Sequence, residues 1–318
     1  MDPLSDVLSL LKPRTYAAGG FGSIGDASVH FPAHDGIKCY AVVSGECWLV
    51  VDGVPDPMAL RPGDCFILPR GWPFSLTTKL ELTPLDFRVF LAAPQNVQDP
   101  ASDSDGGCFF VGGHFALEGG SSEMLVGVLP PIVHIRGEAD RAALRWSIAR
   151  MRQELREPQP GSVLILQHLA QMMLVQALRA HLADGSDGGV GWLFALADKQ
   201  IGAAITAMHR DPAQRWTLQQ LAERVGMSRS AFAAKFKATV GSSPMEYLTR
   251  WRMLLAGDRL ANSSDPISVI SPSLGYESES AFSTAFKRVM GCSPRRYSRG
   301  RASAPVLASE AEPARIAA

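Results

Sequence analysis

Ser228-x-Ser230-Ala231-Phe232, then Phe236-Lys237, Gly241-x-Ser243-Pro244 and Tyr247, is the stretch whose reading decides the fold, because it returns fifty residues later. The second copy runs Ser278-x-Ser280-Ala281-Phe282, Phe286-Lys287, Gly291-x-Ser293-Pro294 and Tyr297, ten matched positions at one offset without a gap. Two copies are too few to stack as a solenoid, so the duplication points to a module with two heads.

Working outward, Lys199–His209 has helical periodicity, and Thr217 is placed to cap a helix over Leu218–Val225 that Gly226 ends. Ser228 caps the next, Arg229–Val240, with Phe232 and Phe236 one turn apart on its inner face. A helix, a three-residue turn with Gly and a second helix make a helix-turn-helix. The second copy reuses these devices, with Asp265 expected as cap, Pro266 at the first helical position, Gly275 as stop and Ser278 as cap. Between them Pro244 opens a connecting helix through Met245–Leu260, roughly 25 Å long at 1.5 Å per residue. Such a rod suits two recognition helices lying about one turn of duplex apart.

Charge points the same way. The chain of 318 residues is neutral overall, yet residues 1–197 hold 14 Lys and Arg against 21 Asp and Glu, while 198–300 hold 15 against 8. A net +7 block inside a neutral chain implies an anionic partner, with phosphate backbone the leading candidate.

The pattern Gly275-Tyr276-x-Ser278-x-Ser280-x-Phe282-x3-Phe286-Lys287-x3-Gly291-x-Ser293-Pro294-x2-Tyr297 resembles the signature of the AraC/XylS-type bacterial transcription regulators, over about 100 residues, 199–298. The resemblance implies a seven-helix DNA-binding domain with two helix-turn-helix motifs, fused to a sensing domain. Carried over by position, Ser230, Ala233 and Ala234 of the first recognition helix and Glu279, Ser280, Ser283 and Thr284 of the second face bases. The small first set suits apolar contact, such as with a thymine methyl; Glu279 can accept from a cytosine amino group, against repulsion from neighbouring phosphates. Arg229, Lys237, Lys287, Arg288, Arg295 and Arg296 are the expected phosphate contacts, and the four phenylalanines are expected in the core. Two departures stand out. Pro272 falls in the middle of the expected helix Pro266–Leu274, where it would cost about 3 kcal/mol or bend the helix. Gly257 inside the connecting helix costs about 1 kcal/mol against Ala.

The front half reads differently. Residues 1–12 carry Leu4, Val7, Leu8 and Leu11 at amphipathic helical spacing. Short apolar runs follow, expected as strands at Ser28–Phe31, Ile37–Val43, Cys47–Val51, Asp64–Leu68, Glu81–Leu91, Cys108–Val111 and His114–Leu117. Turn signals at Ser44-Gly45-Glu46, Asp52-Gly53 and Arg61-Pro62-Gly63-Asp64 separate them, the texture of a small antiparallel barrel or sandwich. Ala92–Gly107 is expected as a loop. Glu138–Arg156 and Val163–Leu182 read as helices, the first with Leu144, Ile148, Met151 and Leu155 on one face. The second is apolar almost all round but interrupted by Gln167, His168, Gln171, Gln176, Arg179 and His181, which suits a covered helix or dimer seam better than a membrane span.

The fold expected is therefore a two-domain α+β chain. A cupin-like sensor barrel over 1–137 precedes a helical dimerisation and coupling segment, 138–183, and a linker, 184–191. The double helix-turn-helix domain, 192–300, and a disordered tail, 301–318, complete it. The front half is similar to the cupin sensors of some of these regulators through Met1-Asp2-Pro3-Leu4-Ser5, Phe31-Pro32-Ala33-His34 and Arg61-Pro62-Gly63-Asp64-Cys65-Phe66-Ile67-Leu68-Pro69. Cupin metal sites use two His and a Glu, then a later His; here His34 stands alone, Lys38 occupies the Glu place and Phe74 the later His place. No metal, cofactor or catalytic residue is expected, and the chain is not expected to be an enzyme.

A small molecule inside the barrel would meet His34, Tyr40, Trp48, Phe66 and Arg88. Two other readings stay open, a barrel that only dimerises and a thiol sensor using Cys39, Cys47 or Cys65; a metalloenzyme fused to a DNA-binding domain is the most distant. Five cysteines without CxxC spacing and a start lacking a signal peptide suit a cytoplasmic protein. Its expected partners are double-stranded DNA, an effector, a second copy of the chain and, if it activates, RNA polymerase.

Overall fold

Along β4 (Cys47–Val51), Cys47, Leu49 and Val51 are buried while Trp48 and Val50 are half-buried, the period of two that puts one strand face on a core. In the computed structural model, which describes residues 2–11, 14–23, 25–92, 107–116, 127–135, 138–184 and 190–302, such strands build two five-stranded sheets. One runs β1 (Arg14–Gly22), β9 (Phe109–Ala116), β3 (Ile37–Ser44), β6 (Cys65–Leu68) and β10 (Val133–Ile135). The other runs β5 (Met58–Leu60), β4, β7 (Phe74–Thr77), β2 (Ser28–Phe31) and β8 (Leu85–Asp86). Pairing is antiparallel in both, apart from β2 with β8.

The inner faces of the two sheets share one aromatic core. Phe31 and Phe74 stack with ring centroids 4.5 Å apart, Phe21 stacks on Phe110 at 5.2 Å, and Phe66, Phe87 and Phe90 fill the remainder. Lys38 is buried with its ammonium 5.2 Å from the Phe31 centroid and 5.3 Å from that of Phe74, a cation over two ring faces.

Two expectations for this half need correction. Glu81–Leu91 is not one strand: β8 is followed by helix α2 (Phe87–Ala92), which Asp86 starts by accepting from the Arg88 amide at 2.8 Å. The physical signal is Phe87 and Phe90, three apart and both buried on one helical face. Conversely, β9 runs unbroken through Gly112 and Gly113. A Cβ at Gly113 would lie 2.9 Å from the Ala170 methyl, so the glycine marks a close approach and not a strand end. The expected loop lies almost wholly outside the described residues, as do most of the linker and the tail.

Helix α3 (Glu138–Arg156) buries Leu144, Ile148, Met151 and Leu155, and α4 (Ser162–Asp184) buries Leu166, Leu169, Ala170, Met173, Leu174, Ala177 and Leu178. By length and composition α4 could cross a membrane, but its buried stripe packs on α3 and the first sheet. The chain divides into two compact units, Pro13–Leu117 with Leu129–Asp184, and Met1–Lys12 with Gly185–Ala311. The amphipathic helix α1 (Pro3–Leu11) thus belongs with the C-terminal half, where Leu4 and Val7 are buried.

In that second unit, the short α5 (Trp192–Ala195) precedes α6 (Lys199–Arg210), α7 (Leu218–Arg224), α8 (Arg229–Val240) and α9 (Pro244–Asn262). Then come α10 (Ile267–Ser273), α11 (Glu279–Met290) and α12 (Pro294–Ala302). The repeated phrase has a repeated structure. Ser228 and Ser278 each cap their helix by accepting from the third amide on, and Gly241 and Gly291 close it at φ +84° and +76°. Phe232–Phe236 and Phe282–Phe286 sit 5.6 and 5.8 Å apart, and Tyr247 and Tyr297 meet Phe236 and Phe286 edge-on.

Pro272 does less than the sequence suggests. Helix α10 is only seven residues long, and Pro272 lies in its last turn, where Ser271 and Pro272 carbonyls accept from Tyr276 and Gly275 to close it. Pro266, not Asp265, is the cap residue, and Asp265 lies 3.6 Å from Arg259 instead. Gly257 admits Tyr297 and Met290, each 3.2 Å from where its Cβ would be.

Phe74→Ala removes one member of the tightest ring stack in the barrel. We expect the full chain to lose about 3–5 kcal/mol, read from the urea midpoint of the N-terminal unit at unchanged m-value.

Candidate nucleic-acid interface

A recognition helix must bury one face and offer the other. On α8, Phe232 and Phe236 are fully buried while Arg229, Ser230, Ala234 and Lys237 are exposed and Ala233 is half-buried. On α11, Phe282, Ala285 and Phe286 are buried, Glu279, Ser280, Thr284, Lys287 and Arg288 are exposed, and Ser283 is half-buried. Arg295 and Arg296, in the first turn of α12, are exposed as well. Every residue assigned to bases or phosphates from the sequence therefore has its side chain at least partly available on one of these three helices.

Lys235, by contrast, is occupied within the fold. It donates to Asp198 at 2.7 Å and Gln200 at 3.0 Å, tying α8 to the start of α6. Arg252 similarly donates to the carbonyls of Pro212 and Gln214, fastening α9 to the turn before α7. These cations hold the helices rather than face outward.

One further cluster carries no motif in the sequence. His209 on α6 lies with Nδ1 3.3 Å from Asp6 of α1, Nε2 2.7 Å from the Tyr247 hydroxyl, and its ring stacked on Trp251 at 3.8 Å. Burial pushes the imidazole down to about 3 and raises Asp6 above its ordinary value. The only available signal was the apolar stripe of α1, which requires a partner surface without naming it.

A cupin family profile matches residues 2–183, and a helix-turn-helix domain profile matches residues 221–300. An AraC-like transcription regulator of Streptomyces antibioticus is 42% identical over 93% of this chain and 98% of its own. The chain belongs to the AraC-like transcription regulators. The transcriptional regulator AlkR of Acinetobacter baylyi (strain ATCC 33305 / BD413 / ADP1) is 29% identical, covering 86% of this chain and 91% of its own. Among solved structures, the DNA-binding domain of AdpA in complex with a target DNA is 29% identical over 34% of this chain and 98% of its own, at TM-score 0.32.

In the N-terminal unit of this AraC-like regulator, the residues expected around an effector are spread apart in role. Phe66 is fully buried in the ring core and Tyr40 packs against it; a cavity beside Phe21, Phe90 and Phe110 holds about 20 Å³. Trp48 is on the opposite face of β4 from Cys47 and Leu49, and Arg88 is exposed on α2. His34 meets His114 with ring centroids 5.5 Å apart; burial, then Lys38 and His114, push its imidazole down to about 3. Among the described residues no three His, Cys, Asp or Glu side chains converge as metal ligands. Cys39 and Cys65 lie 3.9 Å apart, sulfur to sulfur, but their hydrogen bond and full burial raise the Cys39 thiol well above its ordinary value. That keeps it protonated, the opposite of what a reactive thiolate needs.

His209 supplies a pH test. A group neutral in the folded chain down to about 3, but free to protonate near 6.5 when unfolded, makes unfolding take up a proton between those values. Its contribution to stability is intact above pH 6.5 and is lost progressively as pH falls toward 3. Urea denaturation at about pH 7 and about pH 5 should show this loss in the native chain and a smaller one in His209→Phe.

Proposed function

We propose that this regulator reads its operator through Ser230, Ala233 and Ala234 on α8 and Glu279, Ser280, Ser283 and Thr284 on α11. Arg229, Lys237, Lys287, Arg288, Arg295 and Arg296 hold phosphates. A small molecule bound by the N-terminal unit of a cytoplasmic homodimer sets how firmly the two heads engage, and RNA polymerase is a further partner where the outcome is activation. The observation that carries the reading is the exposure of these side chains on helices whose other faces are sealed by the repeated Phe–Phe–Tyr cores. Only a few kcal/mol of differential effector binding is needed to switch such a protein.

The test is the salt dependence of operator binding by the full chain, using sites found by genome-wide mapping. A steep negative log–log slope is expected, with Lys287→Ala and Arg229→Ala each reducing it by about one. A flat slope overturns the reading. Glu279→Ala should relax preference at one base pair while raising affinity for all sequences, since the exposed carboxylate is repelled by phosphate.

For the second copy, the support is apolar surface. Trp146 on α3 and Val163 and Leu164 on α4 are large apolar side chains 61–68% exposed, material that a partner subunit would cover. Replacing Trp146 and Leu164 together by Glu should yield a monomer in sedimentation with DNA affinity reduced; an unchanged dimer would place the interface elsewhere.

A further inference from the structure

One cavity of the N-terminal unit lies outside the barrel core, between α3 and the end of β3 with its neighbouring turn. Its volume is about 570 Å³, within the ~300–1,000 Å³ of small-molecule sites. Arg145, Arg152 and Arg156 line it together with Val42, Pro62 and Ile148. Spacings of seven and four residues put the three arginines on one face of α3. Glu154 is taken by Arg150 at 2.6 Å and by the Ser162 hydroxyl at 2.7 Å, which leaves Glu157 as the acid in the lining. Each of the three arginines already has an interaction within the chain, but a guanidinium has five donors and can serve more than one acceptor.

The opposite wall is firm. In the turn Arg61–Asp64, Asp64 accepts from the Arg61 amide at 2.9 Å, and its buried carboxylate lies 3.3 Å from His134 Nε2 on β10. The Gly63 amide donates to the Val42 carbonyl at 2.8 Å, joining the turn to β3. A rigid apolar wall facing a row of forked cations favours a molecule with an apolar body and one anionic end.

We infer that this cleft is the effector site and that it takes a small organic anion, a carboxylate or phosphate ester with an apolar body. The anion pairs with Arg152 and Arg156 while the body rests on Val42, Pro62 and Ile148. The inference rests on the reading of an effector-controlled regulator and gives that effector a place and a chemical class. Planar carboxylate or phosphate oxygens accept two parallel N–H bonds from one guanidinium, so the anion would be held in one orientation. Bound there, it would bridge α3 to the Arg61–Asp64 turn.

The experiment is calorimetric titration of the full chain with benzoate, octanoate and phenyl phosphate, each beside its neutral counterpart, benzyl alcohol or octanol. At least one anion is expected to bind in the millimolar range or tighter, and its neutral counterpart at least ten-fold more weakly. Arg152→Gln and Arg156→Gln should each weaken the anion by about ten-fold or more, and Arg179→Gln, exposed on α4, should leave it unchanged. Ala149→Phe, at an exposed helical position in the lining, should block binding without loss of thermal stability and so guards against misfolding of the arginine variants. Absence of binding by all three anions, or binding indifferent to Arg152, Arg156 and Ala149, overturns the site. Operator affinity measured with and without the bound anion separates the two proposals. Arginine-dependent binding that leaves DNA affinity untouched removes the effector role but keeps the site, whereas a DNA response independent of these residues does the reverse.

Discussion

Each DNA-reading helix depends on two phenylalanines one turn apart meeting a tyrosine from the helix that follows. Burying an aromatic side chain of about 150–250 Å² is worth roughly 4–6 kcal/mol at 25 cal/mol/Å², before entropy is counted. Two buried phenylalanines per motif, with a tyrosine that is buried in the first and partly buried in the second, anchor a twelve-residue helix that could not hold its shape alone in water. Because the Phe, Gly, Pro and Tyr positions carry the fold, the outward positions are released from it. The two heads can therefore differ chemically, small and apolar on α8 but polar with a carboxylate on α11, at no cost to packing.

The barrel uses the same aromatic material to a different end. Phe21, Phe31, Phe66, Phe74, Phe87, Phe90 and Phe110 fill the space between the sheets, and Lys38 survives burial because its ammonium lies over two ring faces. Among the described residues no three His, Cys, Asp or Glu side chains converge in that volume, which rings fill instead. The interior is a core, and a space of small-molecule size lies on the outer side of the sheet, beside α3.

The C-terminal half was legible because its signals are local. Caps, stops and the Phe–Phe spacing sit within one helix, so Ser228, Gly241 and Phe236 declare themselves in the sequence. The barrel was legible only in outline. Strands β1, β7 and β10 escaped notice, and Gly112–Gly113 looked like a break, because their pairing partners lie far along the chain, while β5 is only 3 residues long. The proposed base and phosphate contacts were assigned by position in a repeat. The α3 cleft was not found, since Arg145, Arg152 and Arg156 read as a solvated helical face until β3 and the Arg61–Asp64 turn come up against them.

Helix α1 has a consequence of its own. By order in the chain it precedes the sensor, yet its Asp6, Leu4 and Val7 close over His209 and the Tyr247–Trp251 face of the connecting helix. A fragment cut at residue 192 would therefore not be the native DNA-binding unit. It would leave without its Asp6 partner an imidazole that is buried in the full chain. The first helix thus completes a domain encoded some two hundred positions later, so the DNA-binding unit is assembled from both ends of the chain.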